Sequence, residues 1–348
     1  MGVFIGLDVS LAKTAVCVVD RDGGLRWQGK IPSEPGPLVQ RLEEWSGEIE
    51  RVGIEACPLS EWLHRGLSEA GLPIVCIETR QAQRFLSLRP MKTDKNDARG
   101  IAEMMRLGHY RPVHVKSPAA QSMRTTLAAR AQLVGSQLQI EATIRGLLRV
   151  YGLKMGTIHR NRFGARVAEL LEAAALPHLS AAMEPLLRVR ETMLNERKKM
   201  DRLLASSARV ADVARRLMTT PGVGSVTALA YIVTVDDPDR FDTSRAVGAH
   251  LGLSPRLYQS GEINRSGQIS KCGDRMLRHL LYEAASALMT RTRKWSQLRA
   301  WGMAVAKRRG LKRAMVAVAR KLAVILHRIW VSGDEFNYGG SAVTAKTA

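Results

Sequence analysis

The sequence predicts an α/β domain followed by a long, mainly helical remainder, and three observations carry that prediction. Short apolar runs separated by turn residues occupy the start of the chain, with helical segments between the later ones. Two long tracts of helical periodicity follow, at about 118–152 and 185–218. The charge divides at the same place. Residues 1–115 hold 15 Lys/Arg and 15 Asp/Glu, whereas the rest of the 348-residue chain holds 38 and 17 and carries the whole formal charge of +21.

Residues 2–9, 13–20 and 25–31 read as three strands, with Asp22-Gly23-Gly24 as the hairpin turn between the last two. A helix at about 36–46 precedes a strand that ends Arg51-Val52-Gly53-Ile54-Glu55. A helix from Leu59 to about Ala70, a strand over 73–77, and helical segments opening at Thr79 and Thr93 complete the unit. Three hairpin-linked strands followed by alternating helices and strands is the order of a ribonuclease-H-like domain, bounded here at 1–115. In that fold, acids gather beside the first and fourth strands.

Four carboxylates fit the pattern. Asp8 ends the strand Val3-Phe4-Ile5-Gly6-Leu7, Glu55 ends another, and Asp94 and Asp97 open the helix in Lys92-Thr93-Asp94-Lys95-Asn96-Asp97-Ala98-Arg99. At about 100° per residue, Asp94, Asp97, Ile101 and Met105 share one helical face, so both acids lie on the apolar, inward side. Acids at two strand ends and on one nearby helix can converge on a point that binds magnesium for phosphoryl transfer. A simpler reading is also open. Asp94 and Asp97 suit the first turn of a helix capped by Thr93, and Asp8 and Glu55 could be solvent-facing strand ends.

Composition narrows the class. A pI near 10.5 does not fit an ordinary cytosolic enzyme and points to a polyanionic partner. Cys17, Cys57, Cys76 and Cys272 form no CxxC pair and no zinc spacing, and Cys17 and Cys76 sit in apolar runs, as in a reduced intracellular protein. The first apolar stretch contains Asp8, so it does not read as a signal peptide, and no run of about 18 apolar residues exists. The expected location is a bacterial cytoplasm, at the DNA.

Past a linker at Gly108–Pro118, residues 116–218 read as a helical, coiled-coil region. The positions Leu186, Val189, Met193, Glu196, Met200, Leu203, Ser207, Val210, Ala214 and Leu217 form a heptad seam, for a helical hairpin or a subunit contact. Residues 219–332 form a third region, mostly helical. It opens with Thr219-Thr220-Pro221-Gly222-Val223-Gly224-Ser225, half of a helix-hairpin-helix-like clamp whose backbone N–H groups could bind phosphate, or a plain turn. Helices are expected at about 273–292 and 300–330, and residues 333–348 as a disordered tail. Trp295 and Trp301 could stack on bases, with core packing the expected role of each. Between clamp and helices, Ser260-Gly261 falls in a polar loop flanked by cations. Its serine is a turn residue, a phosphate-binding hydroxyl or a nucleophile, with no Ser-His-Asp triad around it.

Gly6-Leu7-Asp8, Ile54-Glu55-Ala56, Lys92-Thr93-Asp94-Lys95-Asn96-Asp97-Ala98 and Pro221-Gly222-Val223-Gly224 occur in that order. They lead into Gly252-Leu253…Gln259-Ser260-Gly261…Ser270-Lys271-Cys272-Gly273-Asp274…Leu277-Arg278. In this ordered set the chain resembles the DEDD transposases of the insertion-sequence one-ten family, over nearly its whole length. The resemblance implies a RuvC-like domain whose four acids are Asp8, Glu55, Asp94 and Asp97, holding Mg2+, and a C-terminal transposase domain whose nucleophile is Ser260. It implies a covalent phosphoserine intermediate, target and donor DNA, and a structured guide RNA from the element. It further implies a homo-oligomer, a dimer that becomes a tetramer in synapsis, with acids and serine from different subunits. Gly222, Gly224, Arg256, Lys271, Arg275 and Arg278 are the expected nucleic-acid contacts. One departure is Cys57-Pro58, where the family commonly has Thr-Gly; a proline suits the first turn of the following helix.

Two other functions compete. One is a metal-only nuclease such as a Holliday-junction resolvase, in which water attacks and Ser260 is structural. The other is a non-catalytic nucleic-acid-binding protein.

Overall fold

Strand β1 (Val3–Val9) is the centre of the first part of the molecule, and alternation along it sets two cores. Val3, Ile5 and Leu7 face one way and Phe4 the other. The structure, a computed structural model, describes residues 2–87, 91–261 and 263–339. It divides into two compact units, Met1–Lys116 and Ser117–Ala348.

In the first unit β1 runs antiparallel to β2 (Lys13–Asp20), which runs antiparallel to β3 (Leu25–Pro32). The β2–β3 turn closes as its residues predict. Gly23 takes φ 85°, and the Asp20 carboxylate accepts a 2.7 Å hydrogen bond from the Gly24 N–H. Helix α1 (Pro35–Leu42) leads to β4 (Ile49–Glu55), parallel to β1. Helix α2 (Ser60–Glu69) leads to β5 (Ile74–Ile77), parallel to β4. The sheet order is β3-β2-β1-β4-β5. Leu38 and Leu42 of α1 and Leu63 and Leu67 of α2 bury one face of the sheet. Helices α3 (Thr79–Leu86) and α4 (Asp94–Leu107) belong to the other, where Ile101, Ala102 and Met105 pack with Phe4, Cys17 and Val19. Buried Cys17 and Cys76 have the core positions expected of them.

Among the described residues, the regular structure of the second unit is helical apart from one hairpin. Helix α5 (Pro118–Val150) pairs with α7 (Pro177–Val210), and the short α6 (Phe163–Ala174) lies between them in the chain. Around Ile144, Leu148, Phe163, Val167 and Met183 these helices form a core of their own. The chain then forms α8 (Asp212–Met218), α9 (Ser225–Val235), α10 (Ser244–His250), the hairpin β6 (Pro255–Ser260) and β7 (Ile263–Ile269), α11 (Arg275–Thr290), α12 (Gln297–Arg309) and α13 (Leu311–Ser332). The main core joins Leu127 of α5 and Leu204 and Ala208 of α7 to Tyr231, Leu281 and Leu322. The long helices thus share a core with the helices after residue 219.

Five expectations change. Helix α7 begins at Pro177, with Pro185 inside it, and Ala211 is extended (φ −80°, ψ 112°), so Asp212–Met218 is a separate helix. The row of α7 that packs inward is Met183, Arg190 and Leu204, one residue off the expected seam, and Val189, Leu203 and Val210 of that seam are exposed. The polar loop expected around Ser260-Gly261 is instead the β6–β7 hairpin, with Ser260 at the end of β6. Of the expected tail, Phe336 is buried and its N–H donates to Thr219 Oγ1 at 2.9 Å, while 340–348 lie outside the described residues. Trp301 packs on the main core as expected, but Trp295 is exposed. Among the described residues, no helix is long and apolar enough to cross a membrane.

Candidate functional site

Alternation along β1 places Gly6 and Asp8 on the same face as Phe4, and along β4 it places Gly53 and Glu55 together. Gly6 and Gly53 are cross-strand partners, and both lie under α4. A Cβ on Gly6 would come 2.1 Å from the Ala98 carbonyl oxygen, and one on Gly53 would come 2.7 Å from Met105 Cγ. The glycine pair therefore lets α4 lie directly on the sheet. That close approach sets its first turn against the strand ends carrying Asp8 and Glu55. Thr93 caps the helix, its hydroxyl accepting from the Asn96 N–H at 3.2 Å.

The acids sense one another. Burial, then the charges of Asp97 and Asp94, push the Asp8 carboxyl above its ordinary value, against the pull of Lys92 and Lys30. Burial, then Asp8, push Glu55 up as well; the Thr79 hydroxyl opposes this and Asp97 adds to it. Asp94 behaves differently. It is exposed, and a hydrogen-bonded ion pair with Lys30 Nζ at 2.5 Å holds its carboxyl below the usual range. Gln28 also reaches from β3 to the start of α4, donating to the Lys95 carbonyl at 2.7 Å.

Asp8, Glu55 and Asp97 thus form an electrostatic neighbourhood, with Asp94 turned to Lys30. The expected convergence on one point is not complete. Among the described residues, no three His, Cys, Asp or Glu side chains lie close enough together to hold a metal ion. The donor set nevertheless fits a hard divalent cation. Its oxygens are those such an ion prefers, and a cation beside Asp8 and Glu55 would offset the burial and neighbouring negative charge that hold their carboxyls up. Lys30, Gln28 and the two glycines were not singled out from the sequence. The glycines had a readable signal, a Gly two residues before each strand-end acid, hence on its face.

Ser260 ends β6, exposed, with Gly261 (φ 55°) in the turn beyond it. The base of this hairpin is tightly built. Gly252 (φ 69°) and Gly273 (φ 87°) let two backbone segments cross, since their Cβ atoms would meet Cys272 O at 2.0 Å and His250 O at 2.1 Å. The Ser270 N–H donates to Ser254 O at 2.8 Å and that of Lys271 to Gly252 O at 3.1 Å. Arg278 Nη1 lies within 3.1–3.4 Å of the carbonyl oxygens of Leu251, Cys272, Gly273 and Asp274. Asp274 caps α11 through the Leu277 N–H at 2.7 Å and pairs with Arg124 at 2.7 Å.

The expected nucleic-acid contacts separate accordingly. Arg256, Lys271 and Arg275 are exposed, and Gly224, at the start of α9, has open space around it. Arg278 is committed to the hairpin base. Gly222 (φ 86°) is a packing glycine, its Cβ position 2.2 Å from the Ala284 carbonyl of α11.

Comparison with known proteins gives these features a family context. Residues 214–300 match the family described as Transposase IS116/IS110/IS902, and residues 5–152 match the IS110 DEDD transposase family. The chain is 29% identical to the transposase for insertion sequence element IS1111A of Coxiella burnetii, over 96% of this chain and 91% of that one. It is 30% identical to a probable family 20 transposase of Pseudomonas aeruginosa, over 79% of this chain and 82% of that one. Among solved structures it is similar to Thermus thermophilus RuvC, at 16% identity and a TM-score of 0.26, over 32% of this chain and 99% of that one. The class is therefore that of the transposases, enzymes that cut DNA. More narrowly, the chain belongs to the IS110/IS116/IS902 family of insertion-sequence transposases.

Proposed function

We propose that this transposase cuts and rejoins DNA through Ser260, with Asp8, Glu55, Asp94 and Asp97 as the ligands of Mg2+. The observation that carries the reading is the half-buried group of Asp8, Glu55 and Asp97, held at two strand ends and a helix start by the Gly6–Gly53 contact with α4. On this reading residues 1–115 are a RuvC-like catalytic domain, 116–218 a helical region and 219–332 the transposase domain with the serine.

Bound there, Mg2+ would supply charge neutralisation and a lowered pKa for an oxygen nucleophile. The chain's own residues supply the rest. Ser260 Oγ forms a bond to a DNA phosphorus and loses its proton to solvent, while the bond from phosphorus to the 3′ oxygen breaks and that oxygen takes up a proton from solvent, leaving as a 3′ hydroxyl. Rejoining reverses the bonds, as a 3′ hydroxyl attacks the phosphoserine and Oγ leaves with a proton. The bond count is conserved, so no nucleotide is consumed. Arg256, Lys271 and Arg275 hold backbone phosphates, and Arg278 keeps the hairpin base in place. The sequence resemblance adds a guide RNA from the element as a second partner, and a net charge of +21 suits polyanionic partners of either kind.

The test is a nicked suicide substrate in Mg2+. The wild-type chain should form a covalent protein–DNA adduct that Ser260→Ala and Asp8→Asn both lose. Cleavage by Ser260→Ala at the wild-type rate, with no adduct in either protein, would instead make this a metal-only nuclease with water as the attacking group.

A further inference from the structure

We propose that the single-residue corner between α12 and α13 is a phosphodiester-binding site, one that grips the backbone of a nucleic acid rather than its bases. This deepens the proposed function and rests on its reading of nucleic acid as the partner. Seven consecutive residues, Lys307 to Arg313, are exposed, and Lys307, Arg308, Arg309, Lys312 and Arg313 are cations. The sequence holds no Asp or Glu between Glu283 and Asp334, a stretch that contains twelve Lys and Arg. Among the described residues, none of the five corner cations makes an ion pair or a side-chain hydrogen bond. Some exposed cations elsewhere are neutralised locally. Arg188, Lys199 and Arg215 each pair with an acid one helical turn away, Glu184, Glu196 and Asp212.

The helix geometry points the same way. Lys307, Arg308 and Arg309 sit in the last turn of α12, where the helix dipole favours positive charge. Lys312 and Arg313 sit in the first turn of α13, where it does not, and no acid occupies that turn. The capping residue is Gly310 (φ 83°), which offers no side chain to the free N–H groups of the first turn. No atom beyond its chain neighbours lies within 4 Å of its Cβ position, so nothing stands over the corner. Five cations and uncapped donors in one exposed corner repel one another until an anion is present. A chain of phosphates supplies regularly spaced anions that Arg and Lys can engage without reading sequence.

The test uses the full-length chain and two labelled probes, a DNA duplex and a folded RNA hairpin, in binding titrations at several salt concentrations. One variant carries Gln at positions 307, 308, 309, 312 and 313. A charge-matched control carries Gln in place of Arg188, Lys198, Lys199, Arg202 and Arg209 on α7. The corner variant should bind at least one probe about tenfold more weakly. Its salt slope should also fall by about 0.9 for each duplex phosphate it no longer neutralises, or about 0.7 for each on a single strand. The control should keep most of its affinity. Weaker binding of the duplex alone assigns the corner to DNA, and weaker binding of the hairpin alone to RNA. Equal weakening in both variants would reduce the effect to net charge and overturn the site, as would wild-type binding by the corner variant. The double variant Lys312→Gln/Arg313→Gln, expected to show an intermediate effect, decides the matter if the fivefold variant misfolds. A wild-type chain that binds neither probe would sink the nucleic-acid reading as well.

Discussion

Asp8 stands where the first unit concentrates unfavourable charge. Its carboxyl, like that of Glu55, binds a proton more tightly in the folded chain than in the unfolded one, because burial and neighbouring acids disfavour its ionised form. Such a group favours folding below its ordinary pKa, 3.8 for Asp8 and 4.5 for Glu55. Stability is then lost as pH rises from the ordinary value through the raised folded one. At neutral pH both ionised groups work against the fold. Asp8→Asn should therefore raise the melting temperature of the metal-free protein at pH 7, with the gain shrinking as the pH falls through the raised folded value of Asp8 towards 3.8. Millimolar Mg2+ should raise the melting temperature of the wild-type chain more than that of the variant. A variant that melts below wild type at pH 7 would show that Asp8 serves the fold through another contact. The site was half legible for a physical reason. Acids at strand ends appear in the sequence, and so does a glycine two residues before each. The Lys30–Asp94 ion pair does not, because it joins residues 64 positions apart.

At the scale of elements, the long hairpin of α5 and α7 shows how a correct period can carry the wrong face. The heptad of α7 was readable, yet its inward row contains Arg190, 4% exposed, where an apolar pattern search sees polarity. Arg190 Nε donates to Glu141 of α5 at 2.8 Å, its Nη2 donates to the Arg160 carbonyl at 3.1 Å, and its guanidinium lies over the Phe163 ring at 4.6 Å. Arg197 donates to Gln137, which in turn donates to Glu141 at 2.9 Å, so one polar layer joins the helices. Arg190→Ala should destabilise the protein by about 3 kcal/mol in urea unfolding, because it leaves the largely covered Glu141 carboxylate without its counter-ion. Replacing both partners, Arg190→Leu with Glu141→Leu, should recover most of that stability. A single variant within about 0.5 kcal/mol of wild type, inside the usual range for a surface change, would place the pair in solvent. The β6–β7 hairpin escaped prediction for the opposite reason. Every residue of β6 is exposed, so it has no buried face and no apolar period to reveal it, and its order comes from the glycine crossing and Arg278 at its base.

At the scale of the whole molecule, the inward row of α7 leaves a second row without cover. Val189, Leu203 and Val210 are spaced at multiples of seven and are 44%, 56% and 84% exposed, and Leu138 and Leu147 of α5 are exposed as well. Such a row suits a coiled-coil contact with a second copy, as in the dimer that the sequence resemblance implies. The same chain carries +21 charges, and two copies repel one another. Salt therefore separates two kinds of association. Screening weakens repulsion between copies and leaves apolar burial intact, so self-association should strengthen as salt rises. Nucleic-acid binding should weaken over the same range, as released counterions lose their entropic advantage. Sedimentation of the protein free of nucleic acid should show dimer increasing with salt in the wild type and monomer throughout in Leu203→Glu. A dimer that falls apart as salt rises would mean that charged contacts hold the copies together. A Leu203→Glu protein that still dimerises would move the contact off this row.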